Sequence, residues 1–147
     1  MNILVINGAN LNMLGIREPQ IYGTKTYGDL VRFIEDCAME FSVKVSVEQY
    51  NGEGEIVTAI QNAYGVYDAI VINAGGYTHT SVVILDALKA VDLPVAEVHL
   101  SDIQSREAFR KFSYISLVAE KTYCGFGFEG YRKAIKYLSK GRNLLDK

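Results

Sequence analysis

The sequence predicts an α/β fold: a three-layer sandwich around a five-stranded parallel sheet in the order 2-1-3-4-5. Three observations carry that expectation. Short continuous apolar runs, among them Ile3-Leu4-Val5-Ile6 and Ala69-Ile70-Val71-Ile72, have the length and composition of strands buried on both faces. Segments of helical period separate successive runs, as the crossover connections of parallel strands require. A chain of 147 residues, 49% of them hydrophobic, is sized for a single domain with a real core.

The elements follow in order. Residues 2–7 form the first strand. The polar, Gly-containing stretch 8–25 is too long for a plain connection and reads as a functional loop. Thr26 stands where it can cap the next helix, with Asp29 three residues on as an imperfect capping box. Leu30, Val31, Ile34, Cys37, Ala38 and Phe41 then recur at helical spacing. Val43, Val45 and Val47 alternate through a second strand that ends near Gln49. Asn51-Gly52-Glu53-Gly54 is expected to be a turn, followed by the stripe Ile56, Val57, Ile60, Ala63 and Tyr64.

Residues 68–73 form the third strand, broken by Ala74-Gly75-Gly76. Ser81 can start a helix carrying Val82, Ile84, Leu85, Leu88 and Val91. The fourth strand covers 95–98, and a short helix is expected over 106–111. A fifth strand falls between 115 and 124, and a last helix runs from about 129 to 138. The strand order places a switch point between strands one and three. There the loops after Asn7 and Asn73 lie side by side, in the crevice where open α/β sheets bind ligands.

Composition narrows the function classes. A formal charge of −2 argues against a general nucleic-acid binder. The start, Met1-Asn2-Ile3-Leu4-Val5-Ile6-Asn7, has no basic flank and too short an apolar run for a signal peptide. No segment has the length to span a bilayer. The two cysteines, Cys37 and Cys124, form no CxxC and no Cys/His cluster, so no disulfide framework is expected and the cytoplasm is the default compartment.

Chemistry concentrates in four stretches. The loop from Asn7 to Gly23 is neither a dinucleotide fingerprint nor a P-loop. It is either an Asn/Gly surface loop or a lid that closes Arg17 and Tyr22 over the strand rim. Asn73-Ala74-Gly75-Gly76-Tyr77-Thr78-His79-Thr80-Ser81 combines a strand end with a helix start, and helix N-termini also bind anions. Glu97-Val98-His99-Leu100-Ser101-Asp102 carries the second of only two histidines. Imidazole suits proton transfer near neutral pH. Glu97 is not expected to orient His99, because residues 97 and 99 share a face only while the strand persists. Arg106 and Arg110 are expected one helical turn apart on one face. Two isolated histidines without carboxylate–His spacing make no metal site.

Together these motifs closely resemble the type II 3-dehydroquinate dehydratases. The resemblance rests on Asn7-Gly8-x-Asn10-Leu11-x-x-Leu14-Gly15-x-Arg17-Glu18-Pro19-x-x-Tyr22-Gly23, then Asn73-x-Gly75-x-x-Thr78-His79-Thr80-Ser81. It continues through Glu97-Val98-His99-Leu100-Ser101 and Arg106-Glu107-x-Phe109-Arg110. It implies a flavodoxin-like fold, a dodecamer built as a tetramer of trimers, and elimination of water from 3-dehydroquinate without metal or cofactor. By that resemblance Tyr22 is the base, Arg17 lowers its pKa, and His99 is the acid for the departing hydroxyl. Asn10 helps hold a water that stabilises the enolate. Asn73, His79 and Arg110 bind substrate hydroxyls, and Leu100 and Ser101 receive the carboxylate. Asp86 is also counted among the substrate-binding residues, at a place where the family makes subunit contacts.

Some positions depart from common family forms. Ala9 and Ala74 stand where Pro is frequent, Gly52 where His is, and Asp102 where Asn is. Lys111-Phe112 replace a His pair, and Leu85 replaces an Arg. None removes a group that the resemblance places in catalysis. A receiver-like signalling domain fits poorly, since the place of its phosphoacceptor Asp holds Asn73. A flavodoxin-like binding domain without dehydratase activity is the remaining alternative.

Overall fold

Strands β1 (Asn2–Asn7), β2 (Lys44–Gln49), β3 (Ala69–Asn73), β4 (Val95–His99) and β5 (Lys121–Cys124) form one sheet in the order β2-β1-β3-β4-β5. Every pairing is parallel, so the predicted topology holds. The computed structural model describes residues 1–16 and 18–141, apart from the side chain of Tyr22. Between the strands lie α1 (Pro19–Tyr22), α2 (Tyr27–Glu40), α3 (Glu53–Ala63), α4 (Val82–Val91) and α5 (Glu129–Ser139).

The period-2 alternation of the strands divides the apolar residues into two cores. Ile3, Val5, Val71, Ala96 and Val98 pack on Leu30 and Ile34 of α2 and Tyr131, Ala134 and Ile135 of α5. Leu4, Ile6, Ile70, Ile72 and Val95 pack on Ile56 and Ile60 of α3 and Ile84 and Leu88 of α4. These are the three layers that the sequence predicts.

The caps also follow the sequence. Thr26 Oγ1 accepts from the Asp29 N–H at 3.2 Å, and the Asp29 carboxylate accepts from the Thr26 N–H at 2.9 Å. The box is therefore complete with Asp in place of Glu. Ser81 Oγ accepts from the Ile84 N–H at 3.0 Å and starts α4.

Two local expectations are corrected. Glu53 and Gly54 belong to α3 rather than to a four-residue turn. Glu55 makes this possible by accepting from the Gly52 N–H at 3.2 Å, supplying half a capping box to a residue with no side chain. The predicted helix over 106–111 is instead two 3₁₀ turns, Ile103–Ser105 and Ala108–Arg110, with Arg106 extended between them. Asp102 Oδ1 accepts from the Gln104 N–H at 3.0 Å, and Ser105 Oγ donates to the Asp102 carbonyl at 2.8 Å. Such local side-chain bonds compete with the α-helical ladder.

At the switch point Gly8 donates its N–H to the Asn73 carbonyl at 2.7 Å. A Cβ on Gly8 would stand 2.3 Å from the Ala74 carbonyl oxygen. Only glycine lets the two loops approach this closely.

Candidate active site

The carboxyl ends of β1, β3 and β4 open into a cleft. Asn10, Asn73, His79, His99, Leu100, Ser101 and Arg110 all line it, together with Gly75, Gly76, Ile103 and Arg106. Seven of the ten site residues expected from the sequence thus converge. Asp86 lies on the exposed side of α4 and does not line the cleft. Arg17 and the Tyr22 side chain lie outside the described residues, though the Tyr22 backbone closes the single turn α1.

The strand persists to His99, so residues 97 and 99 do share a face. The expectation that Glu97 does not orient His99 is therefore wrong: His99 Nε2 lies 2.6 Å from Glu97 Oε1. Glu97 is fully buried and His99 is 5% exposed. Four hydroxyls complete the carboxylate's surroundings. Thr78 Oγ1 and Ser113 Oγ donate to Oε1 at 2.9 and 2.5 Å. Ser116 Oγ and Thr122 Oγ1 donate to Oε2 at 2.6 and 3.1 Å.

Burial by itself would raise the Glu97 carboxyl. The hydrogen bond and charge of His99, with the hydroxyls of Ser113 and Ser116, outweigh it and hold the group down at about 2. An ionised carboxylate only accepts, so His99 Nε2 carries the hydrogen. That leaves Nδ1 as the ring atom with which His99 can exchange a proton.

His79 sits on the 3₁₀ segment Gly75–His79, its Nδ1 2.7 Å from the Phe112 carbonyl. A carbonyl cannot donate, so Nδ1 carries hydrogen here and Nε2 is the atom left for a ligand. The two imidazoles are near parallel, 17° apart, with centroids separated by 6.5 Å. One is anchored to a carboxylate and the other to a carbonyl.

Two guanidiniums give the cleft its positive side. Arg110 Nε is 2.9 Å from Glu107 Oε2, off the N–H axis, so this is a charge contact rather than a hydrogen bond. Arg106 reaches Glu18 at 3.8 Å, Glu107 at 3.8 Å and Ser101 Oγ at 3.4 Å. It thereby ties the segment leading into α1 to the cleft wall. Asn10, in the left-handed conformation at φ 71°, donates its N–H to Asn51 Oδ1 at 3.1 Å.

Sequence reasoning passed over Glu97 and its hydroxyl cage. The signal was present in the two-residue spacing of Glu97 and His99, and in Thr78 within the second motif. Ser113, Ser116 and Thr122 carried none, because only the tertiary fold gathers them.

The family described as Dehydroquinase class II matches residues 1–139 of the chain. The chain belongs to this family. The 3-dehydroquinate dehydratase of Clostridium acetobutylicum is 48% identical over 147 residues, spanning 100% of both chains. That of Fusobacterium nucleatum is 52% identical over 141 residues, covering 94% of this chain and 96% of the relative. The type II dehydroquinase crystal structure from Butyrivibrio crossotus superposes with a TM-score of 0.92 at 46% identity, covering 94% of this chain and 97% of that one. The dehydroquinase fold is therefore shared over almost the whole length.

Proposed function

We propose that the chain is a 3-dehydroquinate dehydratase, a hydro-lyase that converts 3-dehydroquinate to 3-dehydroshikimate in the shikimate pathway. The observation that carries this reading is the buried Glu97–His99 pair at the wall of a cleft whose other polar side chains are two amides, the His79 imidazole, the Ser101 hydroxyl and two guanidiniums. Such a lining suits an anionic, polyhydroxylated ring. Full-length relatives of that name support it.

The chemistry then follows from the groups. The proton to be lost is α to a ketone, so its removal leaves an enolate that needs preorganised donors. Tyr22 is assigned as the base, taking the C2 proton. A free phenol is only about one part in a thousand phenolate at pH 7, and a guanidinium beside it favours the charged form. Arg17 is assigned that part. Asn10 helps hold a water against the enolate oxygen. The enolate then collapses, the C1–O bond breaks, and His99 gives the Nδ1 proton to the departing hydroxyl, which leaves as water. Glu97 stabilises the imidazolium before the transfer and holds the ring's orientation throughout.

Asn73, His79 and Arg110 are assigned to the substrate hydroxyls, and Leu100 and Ser101 to its carboxylate. Asp86 fits as a contribution to the site of a neighbouring copy in a dodecamer, a tetramer of trimers. The reaction needs no metal or cofactor, since a phenolate and an imidazolium supply the base and the acid. A cytoplasmic enzyme fits a chain in which no described helix is long and apolar enough to cross a membrane.

The test is to mix purified protein with 3-dehydroquinate and follow enone absorbance. Steady growth of that signal is expected, with no adduct trapped by borohydride. A folded protein that produces no enone contradicts the proposal, and a trapped lysine adduct contradicts its mechanism.

A further inference from the structure

Of the tyrosines whose side chains are described, Tyr131 alone is fully buried. It stands on α5, packed under the ends of β1 and β3. Its hydroxyl donates to Asn7 Oδ1 at 2.6 Å and accepts from Asn73 Nδ2 at 3.0 Å. Asn7 and Asn73 are register partners across the β1–β3 switch point. A buried hydroxyl costs free energy unless it is paired, and phenylalanine would fill the same volume without that cost. The hydroxyl therefore points to a role beyond packing.

The direction of each bond in this chain is dictated by one backbone group. The Gly75 N–H can only donate, and it donates to Asn73 Oδ1 at 3.2 Å. Asn73 must then turn Nδ2 towards Tyr131, which accepts and spends its single hydrogen on Asn7 Oδ1. Burial holds the phenol neutral by pushing its pKa up. The Asn73 amide is thus tethered at both ends, and its remaining N–H and remaining lone pair take fixed positions at the wall of the cleft that Asn73 lines.

We infer that Tyr131 is a positioning residue for substrate binding, acting through Asn73 as the second tether that fixes the angle of an amide whose polarity Gly75 sets. This rests on the dehydratase reading above. With the hydroxyl removed, Gly75 still holds Oδ1, but the amide pivots on one tether.

The test is a double-mutant cycle in the 3-dehydroquinate assay, with wild type, Tyr131→Phe, Asn73→Ala and the double variant. Tyr131→Phe is expected to raise KM about five- to tenfold with kcat changed by less than about twofold, the scale of one lost neutral hydrogen bond. In the Asn73→Ala background the same substitution should change KM no further. A merely structural hydroxyl would give additive effects, and additivity overturns the inference. So does an unchanged KM in Tyr131→Phe. If Tyr131→Phe does not fold, Asn7→Ala removes the acceptor of the chain and should raise KM in the same direction; an unchanged KM there overturns the inference too. An inactive wild type overturns the dehydratase reading and this one with it, whereas an active wild type confines any failure to Tyr131.

Discussion

At the scale of single residues, the pairing of His99 with Glu97 governs the chemistry. Five hydrogen bonds on one buried carboxylate keep it ionised, and an ionised partner keeps the imidazole protonated at the nitrogen that faces it. Glu97→Gln keeps the shape and removes the charge. It should lower kcat by about 10- to 100-fold while leaving KM within about threefold, as expected for loss of support to a general acid. Unchanged kcat would show that the carboxylate plays no part in the proton transfer. His79, anchored to the Phe112 carbonyl, is assigned to holding substrate, so His79→Ala should raise KM as well as slow turnover; steady-state kinetics with both parameters unchanged would rule out that contact. His99 was legible in the sequence because it follows an apolar run. Its partner was not, since alternation helps only if the strand's last residue is known, and here one more residue of strand decides the matter.

At the scale of elements, the strands and their order could be read directly, because continuous apolar runs and helical spacing report burial on two faces and on one. The cleft-side connections could not. Arg106 and Arg110 have helical spacing, yet Asp102 and Ser105 bond the local backbone and divide the segment into two tight turns. Both guanidiniums still reach the cleft, by a geometry that spacing does not encode. The strand order places the loops after β1 and β3 side by side, but how tightly they touch is seen only with Gly8 against the Ala74 carbonyl. Gly8→Ala forces that contact apart and should destabilise the fold by about 1–3 kcal/mol, with a larger loss of activity than of helix content. A denaturant midpoint equal to that of the wild type would show that the switch point yields more readily than its 2.3 Å clearance indicates.

At the scale of the whole molecule, the buried carboxylate ties stability to pH. Glu97 titrates near 2 in the folded chain against an ordinary 4.5, so its contribution is present in full above about 4.5 and is lost as pH falls towards 2. Denaturant midpoints at about pH 6 and about pH 3 should therefore converge for wild type and Glu97→Gln, the wild type losing more on acidification. Parallel losses would contradict the assignment. Assembly belongs to the same scale. The proposal that Asp86, exposed on α4, serves the cleft of a neighbouring copy expects a dodecamer in solution and a loss of activity on Asp86→Ala with the fold intact; light scattering that finds a monomer, or an enone assay that finds Asp86→Ala fully active, contradicts it. The most direct test of the central claim is the enone assay on Tyr22→Phe, a change of one oxygen atom in the assigned base. Wild-type protein should turn over 3-dehydroquinate, and Tyr22→Phe should lose at least about 100-fold in kcat with its fold intact; a Tyr22→Phe protein as active as the wild type would contradict it.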